Sequence, residues 1–175
     1  MLVVPVGGGG LIAGMATAAR ATRPGIEIVG VEAALYPAMY QVLRGMLPMA
    51  GGATIAEGIA VKQPGEITQE IVRRLVSDVV LVSEPALEEA VLTLLEIEKT
   101  VVEGAGAAGL AAVMSDKKRF KGKRVGIVLS GGNIDSRLLS SILMRGLVRS
   151  GRLVRIRVDI SDAPGLLARV AQVIG

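Results

Sequence analysis

Four consecutive glycines, Gly7, Gly8, Gly9 and Gly10, are the residues of this sequence with the clearest chemical use. They follow a short apolar run and precede an alanine-rich segment that begins at Leu11. An ordered run of glycines costs much chain entropy, but it lets backbone N–H groups converge without interference from Cβ atoms. Between a strand and the amino terminus of a helix, such a loop binds phosphate, and a flexible turn is the alternative. Because neither spaced dinucleotide-binding glycines nor a Walker lysine are present, the phosphate is predicted to belong to a cofactor.

A hydroxyl and a carboxylate are the other candidate site groups. Ser130 follows the apolar run 125–129 and precedes Gly131 and Gly132, so a flat ring could approach closely and accept or donate a hydrogen bond there. Taken alone, this stretch fits an ordinary turn better. Glu103 precedes a run of glycine and alanine, and it is either a site carboxylate or an acid that serves a helix dipole.

The composition excludes several classes of chemistry. The 175 residues include no histidine and no cysteine, which rules out a Ser-His-Asp triad, thiolate chemistry and the common zinc sites. The net charge is +4, but no nucleic-acid-binding motif accompanies the basic clusters at 117–124 and 145–157, so we expect solvated basic loops and no nucleic acid partner. No apolar run is long enough for a membrane span, and the first residues do not resemble a signal peptide, so a cytoplasmic location is expected.

Strand-like and helix-like segments alternate along the first 150 residues. Short apolar runs predict buried strands at 2–6, 26–32, 78–82 and 124–129. The helical pattern predicts helices at 11–21, 37–44, 66–76, 84–98 with Ser83 as its cap, from 103 onward, and at 135–149. This alternation predicts an α/β fold with a largely parallel sheet. Right-handed crossovers then put both glycine loops at the carboxyl ends of strands, where open α/β sheets bind ligands.

The pattern changes at Ser150 and Gly151. Residues 153–160 alternate apolar and charged side chains, which predicts an antiparallel strand with one wet face. A turn at 161–165 and a helix from Leu166 follow. One strand and one helix cannot bury a core, so we expect one domain over 1–150 and the truncated start of a second domain over 151–175.

Four stretches resemble, in their order and spacing, the threonine ammonia-lyases, or threonine dehydratases. They are Val4-Pro5-Val6-Gly7-Gly8-Gly9-Gly10-Leu11, Thr54-Ile55-Ala56-Glu57-Gly58-Ile59-Ala60-Val61-Lys62, Glu103-Gly104-Ala105-Gly106-Ala107 and Leu129-Ser130-Gly131-Gly132-Asn133. Serine racemases and serine dehydratases are relatives with the same fold. The resemblance covers about residues 1–150. It implies part of a three-layer α/β fold, the mostly parallel sheet of the tryptophan-synthase-β-like type, with pyridoxal 5'-phosphate (PLP) as cofactor.

The resemblance also implies roles for the matching residues. Gly7 to Gly10 and the Leu11 amide would hold the cofactor phosphate, Ser130 would hydrogen-bond the pyridine nitrogen, and Glu103 would lie near the ring. A neutral serine at the nitrogen suits β-elimination better than transamination. The implied reaction of the intact protein converts L-threonine to 2-oxobutanoate and ammonia, as in isoleucine biosynthesis. A serine dehydratase, a serine racemase and a non-catalytic protein that binds PLP or an amino acid are the alternatives, and a homodimer or homotetramer is expected.

Two family features are missing from this sequence. The Schiff-base lysine of the family lies in a Ser-Phe-Lys-type motif upstream of the glycines, and no lysine here has that context. We therefore assign no catalytic residue and expect the chain alone to be inactive. The racemase relatives bind a divalent cation through acids after the second strand. Here Glu32 matches one ligand and Tyr36 could offer a carbonyl, but Ala38 replaces the second acid, so no metal site is predicted.

Residues 151–175 resemble the start of an ACT regulatory domain. The resemblance rests on the alternating segment followed by Asp162-Ala163-Pro164-Gly165. It implies allosteric control by an amino-acid effector that binds near this turn, and a plain hairpin-like extension is the alternative.

Overall fold

Four parallel strands form the central sheet in the computed structural model, which describes residues 1–175. They are β1 (Leu2–Pro5), β2 (Ile28–Ala33), β3 (Asp78–Val82) and β4 (Gly126–Ile127), in the order β3-β2-β1-β4. The predicted parallel α/β sheet is confirmed. The strand predicted at 124–129 is shorter, because only Gly126 and Ile127 pair with β1 at the edge of the sheet.

Eight helices connect or follow the strands. They are α1 (Gly10–Thr22), α2 (Ala38–Leu43), α3 (Glu66–Leu75), α4 (Glu84–Glu96), α5 (Gly104–Ser115), α6 (Lys117–Phe120), α7 (Ser136–Arg149) and α8 (Leu166–Ile174), with a short 3₁₀ turn at Glu57–Ile59. The predicted cap is confirmed, since Ser83 Oγ accepts a hydrogen bond from the Ala86 amide at 3.4 Å.

One helix lies where a solvated basic loop was predicted. The stretch Lys117–Phe120 forms α6, because the Asp116 carboxylate accepts from the Arg119 amide at 3.2 Å and the Phe120 ring is buried. The high charge of this stretch predicted a solvated loop, and the burial of its one aromatic side chain was not foreseen.

Helices cover both faces of the sheet, as the predicted three-layer fold requires. On one face Val4, Ile28 and Val79 pack with Ile12 and Val72 of the helices α1 and α3. The opposite face packs against α4 and α5, through a cluster that includes Val3, Val31, Val82, Leu87, Val91 and Ala108. Burial on both faces explains why the two central strands, β1 and β2, are nearly continuous apolar runs.

The segment after α7 differs from the prediction. Residues 153–160 form no strand, and most of their apolar side chains are exposed, with Val154 at 72% and Ile156 at 60%. A strand forms only when another strand accepts its backbone hydrogen bonds, and none lies beside this segment. The predicted helix from Leu166 is confirmed as α8. No helix combines the length and the apolar character needed to cross a bilayer.

Candidate functional site

The topology of the sheet selects the position of the site. From β1 the chain moves to β2 and β3 on one side, and then returns to place β4 on the other side of β1. The gap between β1 and β4 is therefore the switch point at which the direction of winding reverses. In open α/β sheets the crevice beyond such a point, at the carboxyl ends of the strands, binds the ligand. The glycine loop follows β1 and Ser130 follows β4, so both lie at this crevice.

The glycine loop offers a row of amides that the chain itself does not use. From Gly7 to Ile12 no backbone N–H donates to a carbonyl, and the first bond of α1 runs from the Ala13 amide to the Gly9 carbonyl at 3.0 Å. Unsatisfied donors at a helix amino terminus, together with the positive end of the helix dipole, bind anions. The residues present thus fit the phosphate of a cofactor.

Gly9 is the glycine in this loop that no other residue can replace easily. Its φ is +92°, in the left-handed region. A Cβ at this position would lie 2.7 Å from both Met39 Cε and Thr68 Oγ1, whereas a Cβ on Gly8 or Gly10 would meet open space. The loop is therefore tightly packed at Gly9, and it is open at Gly8 and Gly10.

All seven residues predicted for the site line one cavity of about 280 Å³. The cavity brings Gly7 to Gly10, Leu11, Glu103 and Ser130 together, although Gly7 and Ser130 are far apart in the sequence. Four further residues line it that the sequence reasoning did not assign, namely Pro5, Gly58, Ile59 and Ala105. All four belong to motifs that were quoted for the resemblance, and the signal to include Gly58 and Ile59 was therefore present in residues 54–62.

An acid on α4 holds the loop that contains Gly58. The Glu84 carboxylate accepts from Thr54 Oγ1 at 2.6 Å and from the Ile55 amide at 2.9 Å. The loop then lies against the start of α5, where a Cβ on Gly104 would be 2.2 Å from the Ile55 carbonyl oxygen. Glu84 was not predicted, because its partner lies about 30 residues upstream and nothing local marks it.

Close backbone contacts also fix Glu103 beside Ser130. The Glu103 amide donates to the Gly131 carbonyl at 3.2 Å. A Cβ on Gly131 would lie 2.0 Å from Glu103 Oε1, so the absence of a side chain at this position makes room for the carboxylate. The absence of side chains after Ser130 thus lets this loop approach the start of α5 closely, and the close contact keeps Glu103 at the cavity.

Glu32, near the carboxyl end of β2, is buried beside the start of α2. Its two carboxylate oxygens accept from the amides of Met39 and Tyr40, each at 2.8 Å, and so cap α2. Burial raises the pKa of Glu32 to about 7, although the two amides act in the opposite direction. Both oxygens are thus committed to α2. No cluster of three or more acidic, histidine or cysteine residues that could hold a metal ion occurs in the chain.

Free amides at a helix amino terminus and a switch-point crevice are together typical of α/β folds that bind a phosphorylated cofactor. Residues 1–131 match the family described as pyridoxal-phosphate dependent enzyme, and the chain belongs to this family. Its cofactor is PLP.

Two relatives give the context within the family. The chain is 45% identical over 176 residues to an L-threonine ammonia-lyase of Thermotoga maritima and 47% identical over 172 residues to one of Geobacter sulfurreducens. These matches cover 99% and 97% of this chain but 44% and 43% of the relatives, so the chain spans less than half of their length.

Two solved structures agree with the chain in fold. A threonine deaminase of T.th. matches with a TM-score of 0.72 at 39% identity, over 77% of this chain and 50% of the other. A serine racemase of maize matches with a TM-score of 0.73 at 37% identity, over 83% and 47%. The predicted PLP fold is confirmed.

Proposed function

We propose that this chain provides the cofactor-holding part of a PLP-dependent threonine ammonia-lyase, which converts L-threonine to 2-oxobutanoate and ammonia. The observation that carries the proposal is the single cavity in which the glycine amides, Glu103 and Ser130 meet. The names of the relatives from Thermotoga maritima and Geobacter sulfurreducens support threonine as the substrate.

Each group of the cavity has a distinct task in this proposal. The amides from Gly7 to Leu11 bind the dianionic phosphate and anchor the cofactor without using a charged side chain. When bound, PLP supplies an electron sink for the loss of the α-proton of an amino acid. Ser130 offers the ring nitrogen a neutral hydroxyl, which leaves that nitrogen unprotonated and favours β-elimination over transamination. Glu103, which lines the same cavity, would lie near the ring.

The substrate is tested by complementation. This chain is co-expressed with the part of the Thermotoga maritima relative that it does not match, in the presence of PLP, and the complex is assayed on L-threonine and L-serine side by side. Formation of 2-oxobutanoate from threonine at a higher kcat/KM than pyruvate from serine supports the proposal. A preference for serine assigns a serine dehydratase instead. If the reconstituted complex binds PLP and turns over neither amino acid, the chain is a PLP-binding protein without lyase activity.

A serine racemase is the second candidate, because the maize enzyme shares the fold at a similar TM-score. Release of D-serine in the same assay would identify it. Against it stands the geometry of Glu32, whose oxygens already bind Met39 and Tyr40, with Ala38 where a second acid would be needed.

The carboxy-terminal residues form a further part of the proposal. Residues 151–175 are proposed to belong to an ACT-like regulatory module that responds to an amino acid and acts in a homodimer or homotetramer. Its support is the left-handed Gly165, with φ of +82°, at the start of α8, and the apolar surface that includes Ile156 and Val170. Chemical-shift changes confined to residues 161–166 upon titration with branched-chain amino acids would support this assignment, and unchanged shifts would refute it.

A further inference from the structure

Thr68 lies on α3, outside the cavity, and contacts two consecutive residues of the glycine loop. Its Oγ1 is 2.6 Å from the carbonyl oxygen of Gly8. A Cβ on Gly9 would lie 2.7 Å from the same Oγ1 and 2.8 Å from Thr68 Cβ. The Gly65 amide, at the start of α3, donates to the same Gly8 oxygen at 3.1 Å. The amino-terminal end of α3 therefore holds the peptide between Gly8 and Gly9 from outside the cavity.

The hydroxyl of Thr68 has one proton and two acceptors within reach. The second acceptor is the Gly65 carbonyl at 2.7 Å, which already accepts from the Gln69 amide at 2.9 Å. The Gly8 oxygen lies closer to the hydroxyl, and its other bond, from the Gly65 amide, is longer. Both comparisons favour Gly8 as the acceptor of the proton.

This bond and the bond from the Gly65 amide together fix the direction of the Gly9 amide. The peptide bonds of the chain are trans, and in a trans peptide the C=O and the following N–H point in opposite directions. With the Gly8 oxygen held at α3, the Gly9 N–H points away from α3. Neither Thr68 nor Gly65 lines the cavity, whereas Gly8, Gly9 and Gly10 do. The Gly9 amide is thus directed toward the cavity.

We propose that Thr68 is a positioning residue for the cofactor phosphate. Its hydroxyl fixes the Gly8 carbonyl, and the fixed peptide presents the Gly9 amide to a phosphate oxygen. A neighbouring helix thus sets the geometry of a loop whose four glycines have no side chains with which to set it themselves. This proposal rests on PLP as the cofactor and is independent of which amino acid is the substrate.

The test compares the variants Thr68→Val and Thr68→Ser with Thr93→Val. Valine keeps the shape of threonine and removes the hydroxyl, while serine keeps the hydroxyl. Thr93 is a matched control, since its Oγ1 donates to the Glu89 carbonyl at 2.8 Å on the exposed side of α4. Calorimetric titration of the 175-residue chain measures Kd for PLP, for inorganic phosphate and for pyridoxal, which lacks the phosphate.

For Thr68→Val we expect PLP and inorganic phosphate to bind about three- to tenfold more weakly, the effect of one lost hydrogen bond, while pyridoxal binds as before. Thr68→Ser and Thr93→Val should bind all three like the wild type. Unchanged binding of PLP by Thr68→Val would overturn the proposal. So would an equal loss for pyridoxal, because that result indicates a general structural role.

Amide hydrogen exchange in the cofactor-free chain provides a second measurement. Without the hydroxyl, the Gly8 carbonyl keeps the Gly65 amide as its one remaining partner, and the peptide is held less firmly. We expect the Gly65 amide to exchange faster in Thr68→Val and at the wild-type rate in Thr68→Ser, and equal rates in both would count against the proposal. Since no substrate is used, a complex that fails to turn over threonine refutes the lyase assignment and leaves the result for Thr68 standing.

Discussion

Replacing Gly9 by alanine should destabilise the chain far more than the same replacement at the adjacent Gly10. At Gly9 the new residue must adopt a φ of +92°, which costs a non-glycine residue about 1–2 kcal/mol. The new Cβ also lies 2.7 Å from Met39 Cε and 2.8 Å from Thr68 Cβ. The methionine end can move, but Thr68 Cβ is fixed to α3, and such overpacking costs about 1–3 kcal/mol.

At Gly10 neither penalty applies. A Cβ there meets open space, and the residue lies in the first turn of α1. Alanine is favoured over glycine in a helix by about 0.5–1 kcal/mol, so Gly10→Ala should be neutral or slightly stabilising. Relative to the wild type, Gly9→Ala should lose about 2–5 kcal/mol, a large part of the roughly 5–15 kcal/mol by which a domain is typically stable.

Urea denaturation of the cofactor-free chain, followed by circular dichroism, measures this difference. Because PLP is left out, any effect of the new methyl group on the phosphate does not enter. A Gly9→Ala midpoint equal to that of the wild type, or an equal loss in both variants, would refute the packing of the loop described above. A change in the slope of the transition would instead indicate an altered unfolded or native state.

Three further predictions follow from the site and its surroundings. Because the folded-state pKa of Glu32 is raised from 4.5 to about 7, the contribution of Glu32 to the free energy of unfolding is most favourable below pH 4.5. It is lost as the pH rises to 7, by up to about 3 kcal/mol. In a profile of the urea midpoint against pH, Glu32→Gln should flatten this region. Gly132→Ala should be less stable than Gly131→Ala in thermal denaturation. A Cβ on residue 132 meets the rigid Val101 carbonyl at 2.8 Å, whereas a Cβ on residue 131 meets only the movable end of the Glu103 side chain. Borohydride reduction with PLP should give no single stoichiometric lysine adduct by mass spectrometry, since no lysine lines the cavity, and one uniquely labelled lysine would contradict this.

The parts of the fold with a local signal could be predicted from the sequence. The apolar run at 78–82 is bounded by polar residues and forms β3 over the same residues, and the glycine run predicts the loop that follows β1. Both signals depend on neighbouring residues alone. The position of Ser130 beside this loop also follows, because parallel strands bring their carboxyl ends to one edge.

The parts that depend on distant partners could not be predicted. Residues 153–160 alternate as a strand does, but a strand requires a neighbour, which no pattern within the segment supplies. Glu84 and Thr68 act on loops 29 and 60 residues away, and as isolated polar residues on helices they carry no mark of this role. The predicted roles of Glu103 and Ser130 toward the cofactor ring stay predictions, although the cavity brings them together.

The pairing of β1 with β4 has a consequence for the order of folding. Only two residue pairs join these strands, Leu2 with Gly126 and Val3 with Ile127, yet they close most of the chain into a loop and bring Ser130 to the glycines. Because closing a long loop costs chain entropy, we expect this distant contact to form late in folding. We also expect a short ladder at the edge of the sheet to open before the rest of the sheet. The glycine loop, whose Gly8 and Gly9 contact α2 and α3, can thus form first, with the serine side of the crevice completed afterwards. A cofactor that contacts both the glycine loop and Ser130 would stabilise the pairing of β4 with β1, and it would slow the separation of β4 from the sheet.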